Sequence, residues 1–422
     1  MWYFAPDKKE RVLLVGLVRS SKARWEGIDS LEELASLTKT AGGEVVERFL
    51  QIREKPDPKY FIGKGKLSFL KSLVSELEID LVIFDNPLTP AQARNLWKAL
   101  GVRVIDRTAL ILDIFALHAR TAEAKAQVEL AQLSYRLTHL VGRGEDLSRL
   151  GGGIGTRGPG EKKLEVDRRR ILHSIRTLKK RLKEIEGERS LRREKRRKIM
   201  RTSLAGYTNA GKSSLFNVLT DSHITVSSYL FSTLDPTTRV FEIEKNIPVC
   251  ITDTVGFIKN LPLQLVASFR ATLSEITDSD LIIHVADASH PRRDERIEVV
   301  NKQLEELGAG DTPKILVLNK EDLIIEQRVR DRLKRRYPDA ILVSALYRTG
   351  IKELKEKIKE YLLKFITEKE LVVPEDKYHL IHMIYNSGCV LSKREENGAV
   401  ILRVRGYKNL ISSIEKEIYE VV

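Results

Sequence analysis

Short apolar runs alternate with segments of helical period through the first hundred residues. Val12–Val18, Glu44–Gln51, Leu81–Phe84 and Val102–Ile105 read as strands, with Leu31–Thr40, Lys66–Leu77 and Ala91–Leu100 as the helices between them. This alternation predicts a small parallel sheet with crossover helices. Pro56, Pro58, Gly63 and Gly65 punctuate one long loop, Lys55–Lys66.

The period then changes. Ala126, Leu130, Leu133, Leu137 and Leu140 fall on one face of a helix, and a second stripe runs through Leu164, Ile171, Ile175, Leu178, Leu182 and Ile185. Two such helices in succession predict an antiparallel helical hairpin whose stripes are packing surfaces. Between them lies Gly151–Gly160, with six glycines and one proline in ten residues. It reads either as a plain linker or as a tip that contacts phosphate or RNA, the latter favoured by Arg143, Arg149 and Arg157 around it.

Downstream, Thr202–Ala205, Ile247–Thr252 and Lys314–Leu318 read as strands and Ser214–Leu219 as a helix. Near the end, Tyr378–Asn386 and Leu410–Ile418 look helical, and Val390–Ser392 and Val400–Val404 look like strands about an Asn397-Gly398 turn. The expected architecture is α/β in four parts. Residues 1–107 form an N-terminal α/β domain, 108–199 a helical hairpin with its tip at 151–160, 200–366 a P-loop domain with a doubly wound, mostly parallel sheet, and 367–422 a small α+β domain.

Composition narrows the class. The chain of 422 residues is 42% hydrophobic, enough for packed cores, and carries a net charge of +14, which points to polyanionic partners. From Lys179 to Arg201, twelve Lys or Arg stand against four Glu. A charge run of this kind is either a solvated helix face or a contact to a phosphate backbone. Arg192, Arg193, Arg196 and Arg197 in it, with the three tip arginines, are the RNA-contact candidates. Cys250 and Cys389 lie far apart and suggest neither a disulfide nor a zinc site. The apolar run at the N-terminus is short and preceded by Asp7 and Glu10, unlike a signal peptide, and no stretch approaches the length that spans a bilayer. A soluble, cytoplasmic, monomeric protein is expected.

The chemistry lies between residues 200 and 366. Gly206-Tyr207-Thr208-Asn209-Ala210-Gly211-Lys212-Ser213 follows a strand and precedes a helix that continues with Ser214. Glycines there let backbone N–H groups wrap phosphates; Lys212 supplies charge to the β- and γ-phosphates and the Ser213 hydroxyl a ligand to Mg²⁺. Asp253-Thr254-Val255-Gly256 ends a strand, so Asp253 can hold Mg²⁺ through water and the Gly256 N–H can meet the γ-phosphate. Phe231-Ser232-Thr233-Leu234-Asp235 lies between, where a first switch belongs, and Thr233 is the candidate for a second Mg²⁺ hydroxyl. Asn319-Lys320-Glu321-Asp322 can read guanine, because the Asp322 carboxylate accepts both N–H donors of its Watson–Crick edge. Ser344-Ala345-Leu346 then closes the pocket. Five ordered motifs imply a guanine-nucleotide site with Lys212, Thr233 and Gly256 as its catalytic members.

Phe257 stands where many such sites place a water-orienting Gln, so slow intrinsic turnover and outside stimulation are expected. Asn209 is either a turn residue or a helper in binding K⁺, a cation that would supplement Mg²⁺.

Taken together, the residues resemble the HflX family of ribosome-associated GTPases over nearly the whole chain. The resemblance rests on Pro58–Lys66, Ala124–Leu133, Gly151–Glu161 with Asp167–Arg170, and Phe231–Arg239, beside the less particular P-loop and Asp253–Phe257. It implies an enzyme that hydrolyses GTP and binds the large ribosomal subunit. Under stress it would split stalled 70S ribosomes, with hydrolysis stimulated by the ribosome and the N-terminal domain and hairpin reaching towards the peptidyl-transferase region.

Two other classes remain: a ribosome-assembly or RNA-remodelling factor using GTP or ATP, and a signalling G protein held weakly at an anionic membrane surface. Trp2 and the final Tyr-Glu-Val-Val supply no lipidation signal for the latter.

Overall fold

The structure is a computed structural model and describes residues 9–140, 159–196, 199–222, 230–231, 235–244, 247–259, 275–396 and 398–419. Within these, side chains of 159–164, 188–196, 244 and 386–389 lie outside the description. Two compact units result. One is built from residues within 1–186 together with Leu230, Phe231 and Asp235; the other from residues within 187–226, 236–259 and 271–422.

The first unit holds a four-stranded, wholly parallel sheet of β1 (Arg11–Val18), β2 (Glu44–Ile52), β3 (Leu81–Phe84) and β4 (Arg103–Asp106), in the order β2-β1-β3-β4. The crossovers are α1 (Arg24–Thr40), α2 (Lys64–Glu76) and α3 (Pro90–Leu100). The expected strands and helices are therefore present; α1 begins seven residues earlier than the apolar pattern suggests, and the punctuated loop ends at Gly63 rather than Lys66. Each central strand is apolar at nearly every position because helices cover both faces. Thr89 and Gln92 form a capping box at the start of α3, and Gly101 ends it in the left-handed conformation.

One helix is absent from the expectations. α4 (Arg107–His118) is capped by Asp106 and buries Ala109 through Phe115 without a break. A helix apolar on all sides has no amphipathic period to reveal it. Its first residue, Arg107, is buried between Glu33 and Asp85, two carboxylates that neutralise it.

The hairpin helices follow as α5 (Ala122–Leu140) and α6 (Pro159–Arg196). Ala126, Leu130, Ile175 and Leu178 form their buried seam, with Leu133, Leu137, Ile171 and Leu182 alongside, so these members of the two stripes are packing surfaces; Leu140 and Ile185 are not in the seam, and the Leu164 side chain lies outside the description. Pro159 and Gly160, expected in the tip, begin α6.

The second unit contains a six-stranded sheet of β5 (Arg201–Gly206), β6 (Thr237–Glu244), β7 (Ile247–Asp253), β8 (Leu281–Asp287), β9 (Lys314–Asn319) and β10 (Ile341–Leu342), ordered β10-β9-β8-β5-β7-β6. Only β6 runs antiparallel, against β7. Helices α7 (Lys212–Thr220), α8 (Arg293–Glu306), α9 (Gln327–Arg336) and α10 (Ile351–Leu362) accompany it. A smaller antiparallel sheet of β11 (Ile366–Pro374), β12 (Gly388–Glu396) and β13 (Ala399–Tyr407), ordered β11-β13-β12, packs with α11 (His379–Ser387) and α12 (Lys408–Tyr419). The expectations also name no element at β6, β8, β10, β11, α8, α9 or α10. The two sheets share one core through Ile366 and Tyr407, and the Tyr407 hydroxyl donates to the Pro248 carbonyl of β7 at 2.5 Å.

No described helix is long and apolar enough to cross a membrane.

Candidate functional site

The site is assembled at the carboxyl ends of the parallel strands of the second unit, where open α/β sheets place ligands. β5 ends at Gly206, and a Cβ there would lie 2.1 Å from the Val285 carbonyl of β8, so only glycine lets the two strands run this close. The loop then turns through Asn209 and Gly211, both left-handed, at φ of 60° and 90°. Asn209 is exposed. A side chain at Gly211 would also strike the Asn319 amide nitrogen at 2.2 Å.

Lys212 opens α7 with its side chain buried, and Nζ donates to the carbonyls of Gly206 (3.1 Å) and Tyr207 (3.0 Å). Burial pushes its pKa down to about 8, against the opposing attraction of Asp253. The neighbouring Ser213 hydroxyl donates to the Asp253 carboxylate at 2.6 Å, and Asp253 is fully buried at the end of β7. The Ser213 hydroxyl and the Asp253 carboxylate, side by side, are hard oxygens that would suit Mg²⁺, with the Lys212 ammonium beside them for phosphate charge. Among the described residues no group of three His, Cys, Asp or Glu stands together as a separate metal site.

The base end is joined to the phosphate end by one side chain. Asn319 Nδ2 donates to the Ala210 carbonyl at 2.9 Å, and its Oδ1 accepts from the Ala345 N–H at 3.1 Å. Ser344 Oγ donates to the Asp322 carboxylate and accepts from the Tyr347 N–H at 3.2 Å. Lys320, left-handed at φ 63°, pairs with Asp287 at 2.8 Å. Burial alone would raise the Asp287 carboxyl, but bonds from Lys320 and Ser289 outweigh it and hold it below the usual carboxylate range. Leu346 is largely exposed.

The residues beyond Gly256 are pinned. Phe257 N–H donates to the Gly206 carbonyl at 3.0 Å, and the Phe257 carbonyl accepts from Thr208 N–H at 2.8 Å. The Phe257 ring is buried, as an apolar side chain after the glycine should be.

The first switch is described only at its ends, both in the first unit. Phe231, left-handed at φ 58°, sets its ring edge-on to Phe115 of α4, with centroids 4.7 Å apart. The Asp235 carboxylate accepts from Arg120 N–H, Thr121 N–H and the Thr121 hydroxyl at the start of α5. Ser232, Thr233 and Leu234 lie outside the described residues, as do Arg143, Arg149, Arg157 and Arg197; Arg192, Arg193 and Arg196 lie on α6 where side chains are outside the description.

The P-loop, Asp253–Gly256, Asn319–Asp322 and Ser344–Leu346 thus meet in one place. Sequence reasoning misses Asp287, although an acid closing an apolar strand is the signal it shares with Asp253.

Four family descriptions match successive parts of the chain: a GTP-binding GTPase N-terminal region over residues 28–116, a GTP-binding GTPase middle region over 118–196, a 50S ribosome-binding GTPase over 201–320, and an HflX C-terminal domain over 329–419. The GTPase HflX of Caldanaerobacter subterraneus subsp. tengcongensis is 45% identical over 91% of this chain and 88% of its own length. That of Escherichia coli K12 is 42% identical over 94% of each chain. A GTP-binding protein of the archaeon Sulfolobus solfataricus, solved with GDP, is 27% identical over 84% of this chain and 99% of its own, with a TM-score of 0.44. Motifs, sheet and full-length similarity agree that this chain hydrolyses GTP and belongs to the HflX family of GTPases.

Proposed function

We propose that this GTPase binds the large ribosomal subunit and uses its GTP cycle to split stalled 70S ribosomes in the cytoplasm under stress, acting as a monomer. The observation that carries the reading is the match of residues 201–320 to the family described as a 50S ribosome-binding GTPase. It is supported by the hairpin seam, which stiffens a long arm, and by the basic run Lys179–Arg201, which starts in its second helix. Such an arm suits folded RNA, read by shape and backbone charge rather than by sequence. The arginines at 143, 149, 157, 192, 193, 196 and 197 are its proposed contacts. The division of labour follows the four parts at 1–107, 108–199, 200–366 and 367–422.

At the nucleotide, N–H groups of the loop from Gly206 to Gly211 and the Lys212 ammonium hold the phosphates. Ser213 and Thr233 would ligate Mg²⁺, with Asp253 acting through water; bound there, the ion neutralises charge on the β- and γ-phosphate oxygens. The Gly256 N–H meets the γ-phosphate. Asp322 accepts from the guanine edge, and its bond from Ser344 fixes the carboxylate for that purpose. Asn319 braces the pocket. Because Phe257 is buried, the attacking water is positioned by something else, and the ribosome is the proposed stimulator; K⁺ at Asn209 is a second contribution.

Sucrose-gradient analysis of 70S ribosomes mixed with the protein and a non-hydrolysable GTP analogue tests this. Free subunits should accumulate with the analogue and not with GDP. Intact 70S particles in both cases would overturn splitting, and absence of protein from the 50S fractions would overturn ribosome binding.

A further inference from the structure

Four successive residues after the Val255 position are each held, and one of the two holding side chains, Gln303, belongs to no nucleotide motif. Gly256 lies so close over the P-loop that a Cβ on it would be 2.9 Å from Thr208 Cγ2 and 3.0 Å from Lys212 Nζ. Phe257 is bonded through both backbone groups to Gly206 and Thr208. The Ile258 carbonyl accepts from Gln303 Nε2 of α8 at 3.0 Å, and Ile258 is fully buried. The Lys259 N–H donates to the Tyr207 hydroxyl at 2.9 Å, while the Arg296 guanidinium lies over the Tyr207 ring, 4.6 Å from its centroid. Second switches of G proteins are ordered by the γ-phosphate and released on hydrolysis. Here the segment leaving Gly256 is also held by protein groups, the side chains of one residue of the P-loop and one of α8.

We propose that Gln303 and Tyr207 are positioning residues for GTP hydrolysis, fixing Ile258 and Lys259 so that the Gly256 N–H is presented to the γ-phosphate without ordering cost. This rests on the assignment of Gly256 as a γ-phosphate donor. Tyr207 carries a second duty through its hydroxyl besides its place in the phosphate loop, and Arg296 holds its ring. Preorganised donors gain because nothing must be ordered at the moment of binding or reaction. Only a ligand with a γ-phosphate benefits, so the clamp favours GTP over GDP.

The experiment compares Gln303→Met, Tyr207→Phe and the double variant with the parent full-length chain. Measurements are affinity for GDP and for a non-hydrolysable GTP analogue, and single-turnover hydrolysis of GTP. Each single variant deletes one hydrogen bond and keeps its shape, so GTP-analogue affinity or hydrolysis should fall about two- to tenfold with GDP affinity within about twofold. The double variant should lose less than the product of the single losses, because both bonds hold one segment. Equal effects on GDP and the analogue, or no effect on either, would overturn the inference. The parent chain serves as the separate control on Gly256, because Gly256→Ala would keep the N–H and press a methyl against Lys212 and Thr208. If the parent binds GDP and the analogue equally, the donor assignment fails; if the parent prefers the analogue and the clamp variants keep that preference and the parent's hydrolysis rate, only the clamp fails.

Discussion

The Asp235 carboxylate accepts the Thr121 hydroxyl at 2.5 Å, 114 positions earlier in the chain, at the first turn of α5. Asp235 closes the segment expected to be the first switch, and two residues later Thr237 begins β6, in register with Asp253. One short stretch of chain therefore runs from a helix cap to the partner of the proposed Mg²⁺ carboxylate. Replacing Thr121 by Val leaves every nucleotide motif intact and loosens the cap. The GTP-to-GDP affinity ratio should rise by about two- to fivefold, since a first switch released from α5 costs less to recruit. Fluorescence titrations with both nucleotides measure the ratio, and a ratio equal to the parent's refutes the link.

Lys212 makes nucleotide binding pH-dependent in a predictable sense. Burial holds its pKa at about 8 instead of 10.5. Phosphate oxyanions favour the ammonium, so binding takes up a proton above that pH. GDP affinity should be level below about pH 7 and fall towards about tenfold per pH unit above pH 8. The ligand-free fold responds in the opposite sense. Its depressed pKa means the unfolded chain binds the extra proton between about 8 and 10.5, so this group adds stability as pH rises through that window. Calorimetric titrations in buffers of different ionisation heat count the proton directly.

Gly211→Ala introduces two faults at once, a left-handed residue and a methyl against the Asn319 amide. GDP affinity should fall by at least about tenfold and the melting temperature by several degrees. Adding Asn319→Ala makes room for the methyl but deletes the brace, so the double variant should melt no lower than the sum of the two single shifts predicts while binding stays lost. Thermal melts of the four proteins decide it.

Asp322→Asn exchanges an acceptor for a group that also donates. Guanine then faces an N–H where it needs an oxygen, and binding should weaken by about 10²-fold or more, whereas xanthine, which carries a carbonyl in place of the amine, should gain. Competition between GDP and XDP gives the answer; unchanged preference would remove Asp322 from base reading.

The chemistry was legible because it obliges particular residue types at fixed spacing: glycine where backbone crosses backbone, as at Gly206, and a lone acid at a strand end, as at Asp253. The missed pieces lack such obligations. α4 is apolar on every side, so no period marks it, and only its cap Asp106 gives it away. β11 hides because Glu368, Lys369 and Glu370 interrupt its apolar alternation; each is paired, with Arg403, Glu415 and Arg394, from elements far along the chain. Gln303 reads as a solvent-facing helix residue until the fold brings Ile258 beside it. Contacts across dozens of residues leave no local trace.

The single amide of Asn319, shared between Ala210 and Ala345, bears on what happens once GDP departs. A socket whose two walls are bolted to each other, and not merely to their guest, keeps its outline when vacated. Refilling is then a matter of encounter rather than of rebuilding.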